Sequence, residues 1–363
     1  MKRKRTEIFL AGLLTAVLAG CGGNADLVGS SDQPVEEQME DGDIELPDQE
    51  GTDQKYADVE GLCPQPGTYL ALVLKDLGSS YWKAVKTGAE QAVADINEKL
   101  GYTGNEKVYL TVDGADGEEG EAVDAQINTI DAVLSENPAA LCLAAIDMQS
   151  CEAQMEAARE SEIPVVILDS GIESDLVTAV CMTDNRAAAA EAAEKLCGEI
   201  GEKGTVAVIS YSRRTETSDQ RVEGFAEEIQ KNHPGVKVAE ILYEDEETTA
   251  AELWKQLREE YPDLDGLFCT SSTVTVQVLD QLEEKGDLKV VSFDADEEQL
   301  KAIWDGRLTG TICQNPKGMG YAAVVAALRA ASGETVDKKI DTGYQWLDRA
   351  AMQENKNEKY LYD

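Results

Sequence analysis

The sequence predicts an α/β fold of two doubly wound lobes, each a parallel sheet with helices on both faces. Three observations carry this expectation. From Thr68 onward, short apolar runs alternate with amphipathic segments of helical period, the pattern of βα units. The apolar runs are nearly continuous, as in strands buried on both faces. About ten such strands over roughly 280 residues are too many for one sheet of ordinary size, so they divide between two domains.

The elements follow in order. Residues 69–74 (YLALVL) form the first strand; a polar loop follows, and Tyr81-Trp82 open a helix over 81–99. Strand 108–112 leads to helix 119–135, and strand 140–145 to helix 150–161. Strands 165–168 and 177–182 come next, then helix 186–200. Strands 205–210, 236–242, 266–269, 289–293 and 309–313 alternate with helices 220–231, 248–260, 274–285, 297–305 and 317–332. In sheets of this kind ligands bind outside the carboxyl ends of strands. Tyr81 and Trp82, Asp169, Asp294 and Gln314 all stand at such ends. Together they outline a cleft.

Composition narrows what the cleft takes. A net charge of −39 argues against nucleic acid, whose phosphates need clustered Lys and Arg, and disfavours polyanionic ligands. Lys2-Arg3-Lys4-Arg5 precede a short apolar run from Ile8 to Leu18, a targeting segment over 1–20 that is too short for the ~20 apolar residues of a membrane span. It closes on Leu18-Ala19-Gly20-Cys21, which resembles the lipobox of bacterial lipoproteins and makes Cys21 the lipidated residue. Residues 21–67 are rich in Asp and Glu and are expected to be a disordered tether.

No C-x-x-C occurs and the cysteine spacings are not those of a zinc site; Cys142, Cys269 and Cys313 sit in apolar runs, as small buried hydrophobes do. No metal and no cofactor is expected. Gly318-Met319-Gly320-Tyr321-Ala322-Ala323 matches G-x-G-x-x-A in letters. Gln314 to Lys317 separate it from the strand, however, so close helix packing rather than nucleotide binding is expected. His233 is the single histidine, which removes His-based triads. A carboxylate pair such as Asp169 with Asp294 leaves a glycosidase formally open, but an enzyme is not the expectation.

Six ordered blocks carry a family resemblance: Leu74 with Tyr81-Trp82-Lys83 and Gly88-Ala89; Ile163 to Asp169; Thr183-Asp184-Asn185; Arg221-Val222-Glu223-Gly224-Phe225; Val291-Ser292-Phe293-Asp294; and Gly306-Arg307-Leu308 with Thr311 to Gln314. Over residues 68–348 the chain resembles type I periplasmic sugar-binding proteins, the ribose- and galactose-binding receptors of ABC transporters. The resemblance implies two lobes joined by a three-stranded hinge. The first lobe would be 68–183 plus 315–343, and the second 184–314 plus 344–363. It makes Tyr81 and Trp82 an aromatic platform and Asp169 an acceptor for sugar hydroxyls. Arg221 and Asp294 become readers from the second lobe, and Gln314 a reader at a crossing. Asp184 and Asn315 fall at the hinge. Without the resemblance, adjacent aromatics at a helix start serve equally as core, and Asp169 and Asp294 as caps or turns.

Several positions depart from the family pattern. Ser79 and Ser271 stand where asparagines are common, Lys75 replaces a small polar residue, and Ser170 stands where some members have Arg. The second lobe's stacking aromatic is missing at Asp245, with Tyr243 two residues away. Ser79, Lys75 and Ser271 remain candidate ligand contacts. The implied function is a monomeric, lipid-anchored, extracytoplasmic substrate-binding protein that presents a neutral sugar or polyol to a membrane permease. The alternatives are a sensor lipoprotein reporting to a membrane receptor and a receptor for a non-sugar ligand.

Overall fold

Two parallel-dominated sheets organise the chain in a computed structural model that describes residues 54–114, 122–147, 149–172, 174–245, 247–282, 287–353 and 362. The first contains β1 (Tyr69–Leu74), β2 (Tyr109–Gly114), β3 (Ala140–Leu143), β4 (Val165–Leu168), β5 (Ala179–Met182) and β11 (Lys339–Asp341). Its order is β2-β1-β3-β4-β5-β11, parallel throughout. The second contains β6 (Gly204–Ser210), β7 (Val236–Tyr243), β8 (Gly266–Cys269), β9 (Lys289–Phe293), β10 (Gly310–Gln314) and β12 (Tyr344–Asp348). Its order is β7-β6-β8-β9-β10-β12, with only β12 antiparallel. The first five strands of each sheet therefore repeat one connectivity.

Helices cover both faces of each sheet, which is why the strands read as continuous apolar runs. On the first sheet, α2 (Ala122–Ser135) and α3 (Glu152–Glu160) pack on Ala71, Val73, Leu141, Leu143, Val165 and Ile167. The helices α1 (Ser80–Leu100) and α9 (Pro316–Ala331) pack against each other, and α9 lies along β3, β4 and β5. On the second sheet, α4 (Asn185–Glu199) and α5 (Glu216–Asn232) share a core with Val206, Val208, Phe268 and Ile312. The opposite face carries α6 (Ala250–Glu260), α7 (Ser272–Leu279) and α8 (Glu297–Asp305).

The glycines of the G-x-G-x-x-A stretch lie in α9. A methyl group at Gly320 would fall on the Val85 carbonyl of α1, and one at Gly88 on the Lys317 carbonyl of α9. Close helix packing is what these glycines permit.

The chain passes between the sheets at 183–184, at 315 and at 342–343, and hydrogen bonds tie the three passages together. Thr183 Oγ1 donates to Gly343 O (3.4 Å), Asn315 Nδ2 to Thr342 O (3.3 Å) and Asp184 N to Asp341 Oδ1 (3.2 Å). Asp184 also caps α4 by accepting from Ala187 N, and Asn315 caps α9 by accepting from Gly318 N.

Three expectations need correction. β11 and β12 were not foreseen: they are short, and β11 offers only Ile340 to the core. Helix α5 begins at Glu216 rather than 220, because its first turn is polar; Glu216 and Asp219 there suit a helix N-terminus. The segment 54–67 is not a disordered tether. Tyr56 and Leu62 are wholly buried and Val59 nearly so, a spacing of three that puts one apolar stripe against the first lobe. Tyr56 Oη donates to Asp337 Oδ2 (2.7 Å), Arg329 Nη2 to Glu60 O (3.0 Å), and Lys99 Nζ to Val59 O (3.0 Å). The targeting segment, Cys21 and the rest of the expected tether lie outside the described residues.

The described cysteines are all free; Cys63 is exposed, and Cys142, Cys151, Cys181, Cys197, Cys269 and Cys313 are buried. No helix among the described residues is long and apolar enough to cross a membrane.

Candidate functional site

The carboxyl ends of the two sheets face each other and bring most of the expected residues into one buried group. Asp169 follows β4 and Asp294 follows β9, the same place in the repeated connectivity. Each takes a left-handed backbone conformation, φ 60° and 76°, uncommon for a residue with a side chain. Each hooks its amide onto the neighbouring strand, Asp169 N to Cys181 O (3.0 Å) and Asp294 N to Ile312 O (2.8 Å). Strained backbone of this kind concentrates at functional sites.

From the first lobe, Asp169 Oδ1 accepts from Tyr81 Oη (2.8 Å) and Oδ2 from Ser170 Oγ (2.9 Å). Lys75 Nζ donates to Ser170 Oγ (2.5 Å) and stands 3.7 Å from Asp169 Oδ2. It also lies 5.8 Å from the centre of the Trp82 ring, within cation–π range. Tyr81 and Trp82 meet edge to face, with centroids 5.0 Å apart. Burial above all, then the Asp169 charge, pushes the Tyr81 hydroxyl well above its ordinary value, so it stays a donor.

From the second lobe, Asp294 Oδ1 accepts from Gln314 Nε2 (2.7 Å) and Oδ2 from Ser272 N (3.1 Å). Burial raises the Asp294 carboxyl, and the Arg221 guanidinium, Gln314 and Ser272 N only partly offset it. Arg221 is buried against Phe293, its Cζ 3.8 Å from the ring centre, and donates to Asn185 Oδ1 and Thr270 O, both at 2.8 Å. Burial lowers the Arg221 guanidinium, but Tyr211, Asp294, Asp169 and Tyr81 together carry it above its ordinary value. Asp169 and Tyr81 act on it from the opposite lobe.

The Gln314 side chain is buried, and its Oε1 has no hydrogen-bond partner among the described residues. The amide cannot turn round without losing its bond to Asp294. A buried acceptor left open costs about 1–3 kcal/mol, and a donor supplied by a ligand recovers it.

The serines are placed differently. Ser79 is exposed and caps α1, and Ser271 Oγ caps α7 by accepting from Val274 N. Tyr243 carries the Arg213 guanidinium on its ring face, 3.7 Å from the centroid, and Asp245 Oδ1 accepts from Glu247 N and Thr248 N of its own loop.

The residues that the sequence reading missed join the two lobes. Asp147, after β3, receives Arg214 Nη2 at 2.7 Å and Nε at 3.0 Å from the β6–α5 loop. A methyl at Gly171 would fall on the Glu216 carboxylate, so those loops touch across the cleft. Tyr362 sits beside Tyr81, with centroids 5.4 Å apart and rings at 78°. Asp147 could have been found by the strand-end rule and Arg214 by the Arg213-Arg214 pair in an acidic chain; Tyr362 carried no signal.

Residues 70–335 match the periplasmic binding protein domain. The ribose import binding protein RbsB of Salmonella typhimurium is 25% identical over 274 residues, covering 74% of this chain and 87% of that protein. The D-allose-binding periplasmic protein of Escherichia coli is 25% identical over 261 residues, 69% and 80% of the two chains. A solved ABC transporter solute-binding protein of Agrobacterium vitis with bound D-fucose has a TM-score of 0.70 at 26% identity, covering 81% of this chain and 100% of that one.

Proposed function

This chain belongs to the periplasmic binding protein domain family, and from that premise we propose that it is the extracytoplasmic substrate-binding component of an ABC importer, closing its two lobes around a neutral sugar or polyol. The observation that carries the ligand class is the open acceptor of Gln314. Beside it stand carboxylates that can accept and a guanidinium with N–H groups beyond the two used by Asn185 and Thr270. A set that both accepts and donates suits hydroxyl groups, and the faces of Tyr81 and Trp82 suit the C–H face of a sugar ring. The ligands named for the three relatives, ribose, D-allose and D-fucose, are neutral and hydroxyl-rich, which supports the same class.

Charge bookkeeping agrees. Asp169 takes up Lys75, and Asp294 lies near Arg221, so among the described residues of the group each cation has a carboxylate to balance it. The second reading, an acidic sugar, rests on Lys75 reaching the buried group. In this reading the lobes 68–183 with 315–343 and 184–314 with 344–363 move as units about the three passages. Cys21 is the lipid attachment that holds the receptor at the outer face of the cell membrane, near its permease.

A thermal-shift panel of pentoses, hexoses, polyols, uronic acids, amino acids and nucleosides tests the reading. Ligand at 100 times its dissociation constant adds about 2.7 kcal/mol to stability. The midpoint should rise with a neutral sugar or polyol. A rise with amino acids or nucleosides alone would sink the ligand class, and a rise confined to uronic acids would favour the second reading.

A further inference from the structure

Tyr362 lies beyond β12, yet it is buried to 4% exposure among residues of the proposed ligand cleft. It packs with Ala295, Cys313 and Leu347 of the second lobe and meets the ring of Tyr81 from the first. Its hydroxyl accepts from the backbone N of Gln314 at 3.3 Å, the residue whose side-chain acceptor is open. That bond fixes the tyrosine against the passage between the lobes. On its other side Tyr362 borders a cavity of about 270 Å³, lined also by Ser80, Ala295, Asp296, Glu297 and Glu298. Ser80 comes from the first lobe and the rest from the second, so the cavity is an extension of the same interlobe space.

We infer that Tyr362 is a specificity-determining wall of the cleft, separating the buried polar group from this outer cavity and limiting ligands to one ring or one short polyol chain. The inference rests on the proposed sugar-binding reading and adds a size limit to it. The cavity is slightly smaller than the roughly 300 Å³ at which small-molecule pockets begin. It is therefore not a site of its own, but joined to the cleft it gives room for a second ring. The tyrosine adds an aromatic surface from outside the sheets, next to Tyr81.

The test compares single-ring sugars and xylitol with the disaccharides maltose and cellobiose by titration calorimetry, on the full chain and on Tyr362→Ala, Tyr362→Leu and Tyr362→Phe. Circular dichroism checks the fold of each. For Tyr362→Ala, affinity for the best single-ring ligand should fall at least about tenfold, and the preference for single rings over disaccharides should shrink by about tenfold or more. Tyr362→Phe keeps the wall and should keep the preference. If Tyr362→Ala does not fold, Tyr362→Leu, which refills the small apolar cluster with a shorter side chain, is read in the same way. A preference unchanged in the folded shortened variants overturns the inference while leaving sugar binding intact. Failure of the unaltered protein to bind any sugar or polyol removes both.

Discussion

The Asp147 carboxylate of the first lobe and the Arg214 guanidinium of the second meet through two N–H groups at 2.7 and 3.0 Å. Asp147 is largely buried, while Arg214 is mostly exposed, with 64% of its side chain open to solvent. The pair therefore has the modest strength of a surface contact, about 0.2–1 kcal/mol. It joins the two lobes, so under the proposed closing motion that energy acts on closure rather than on either lobe. Arg214→Ala should speed ligand release up to about fivefold with the melting temperature of the ligand-free protein nearly unchanged. Stopped-flow release and small-angle scattering read the two states. A release rate equal to that of the unaltered protein removes the contact from the closing mechanism.

The same pair sets a pH expectation. Burial pushes the Asp147 carboxyl up, but hydrogen bonds from Ser150, Gln149 and Arg214 outweigh it and hold the group below its ordinary value. A depressed carboxylate contributes above its unfolded pKa, about 3.9, and loses the contribution as pH falls through its folded value. The part of the release rate due to this pair should stay flat from pH 8 to 5. Asp147→Asn should reproduce at neutral pH what acid does to the unaltered protein. A pair-dependent change centred near neutrality would contradict the assignment.

Gln314→Met keeps the shape of the side chain while deleting its acceptor and its bond to Asp294. Ligand affinity should fall by about 1–3 kcal/mol, from several-fold to roughly a hundredfold. Calorimetry showing affinity within a factor of two of the unaltered protein would mean that Oε1 does not receive a ligand donor.

Trp82 is nearly buried at 7% exposure, and two roles give different numbers. As a ligand platform, Trp82→Ala should cost at least about tenfold in affinity and less than about 3 kcal/mol in unfolding free energy. As core it would cost about 3–5 kcal/mol of stability. Denaturant unfolding beside a binding titration separates the two.

Tyr56 and Leu62 test the correction at the start of the fold. Leu62→Ala should destabilise by about 2–5 kcal/mol and Tyr56→Ala by a similar amount, with ligand affinity unaltered. A loss below about 0.5 kcal/mol, typical of surface substitutions, would return the segment to the tether.

Strands with apolar side chains on both faces were legible because burial forces that composition: β1, β4, β8 and β9 lie where the sequence places them. β11 was not, since three residues with one buried side chain leave no periodicity to read. The residues 54–62 were hidden by their charge, which masked the spacing of Tyr56, Val59 and Leu62. In the site, Asp169 and Asp294 were legible as the first polar residues after apolar strands. Their matching backbone was not, because the order of strands in space is not written along the chain. Ser79 and Ser271, candidate ligand contacts by sequence, cap α1 and α7, a role the same residue type fills at any helix start. Tyr362 stands far along the chain from the residues it touches, and only the structure displays those contacts.

The buried stretch around Tyr56 and Leu62 is fastened to Lys99 near the end of α1 and to Arg329 near the end of α9. Tyr81 and Met319, at the opening turns of the same two helices, belong to the cleft. Twenty-one residues of α1 span about 30 Å, so the stretch around Tyr56 and Leu62 grips the first lobe at the end remote from the cleft. Any pull along that segment is borne by the first lobe as a fixed frame. In the proposed reading the second lobe, joined to it by three short passages, is the arm that swings.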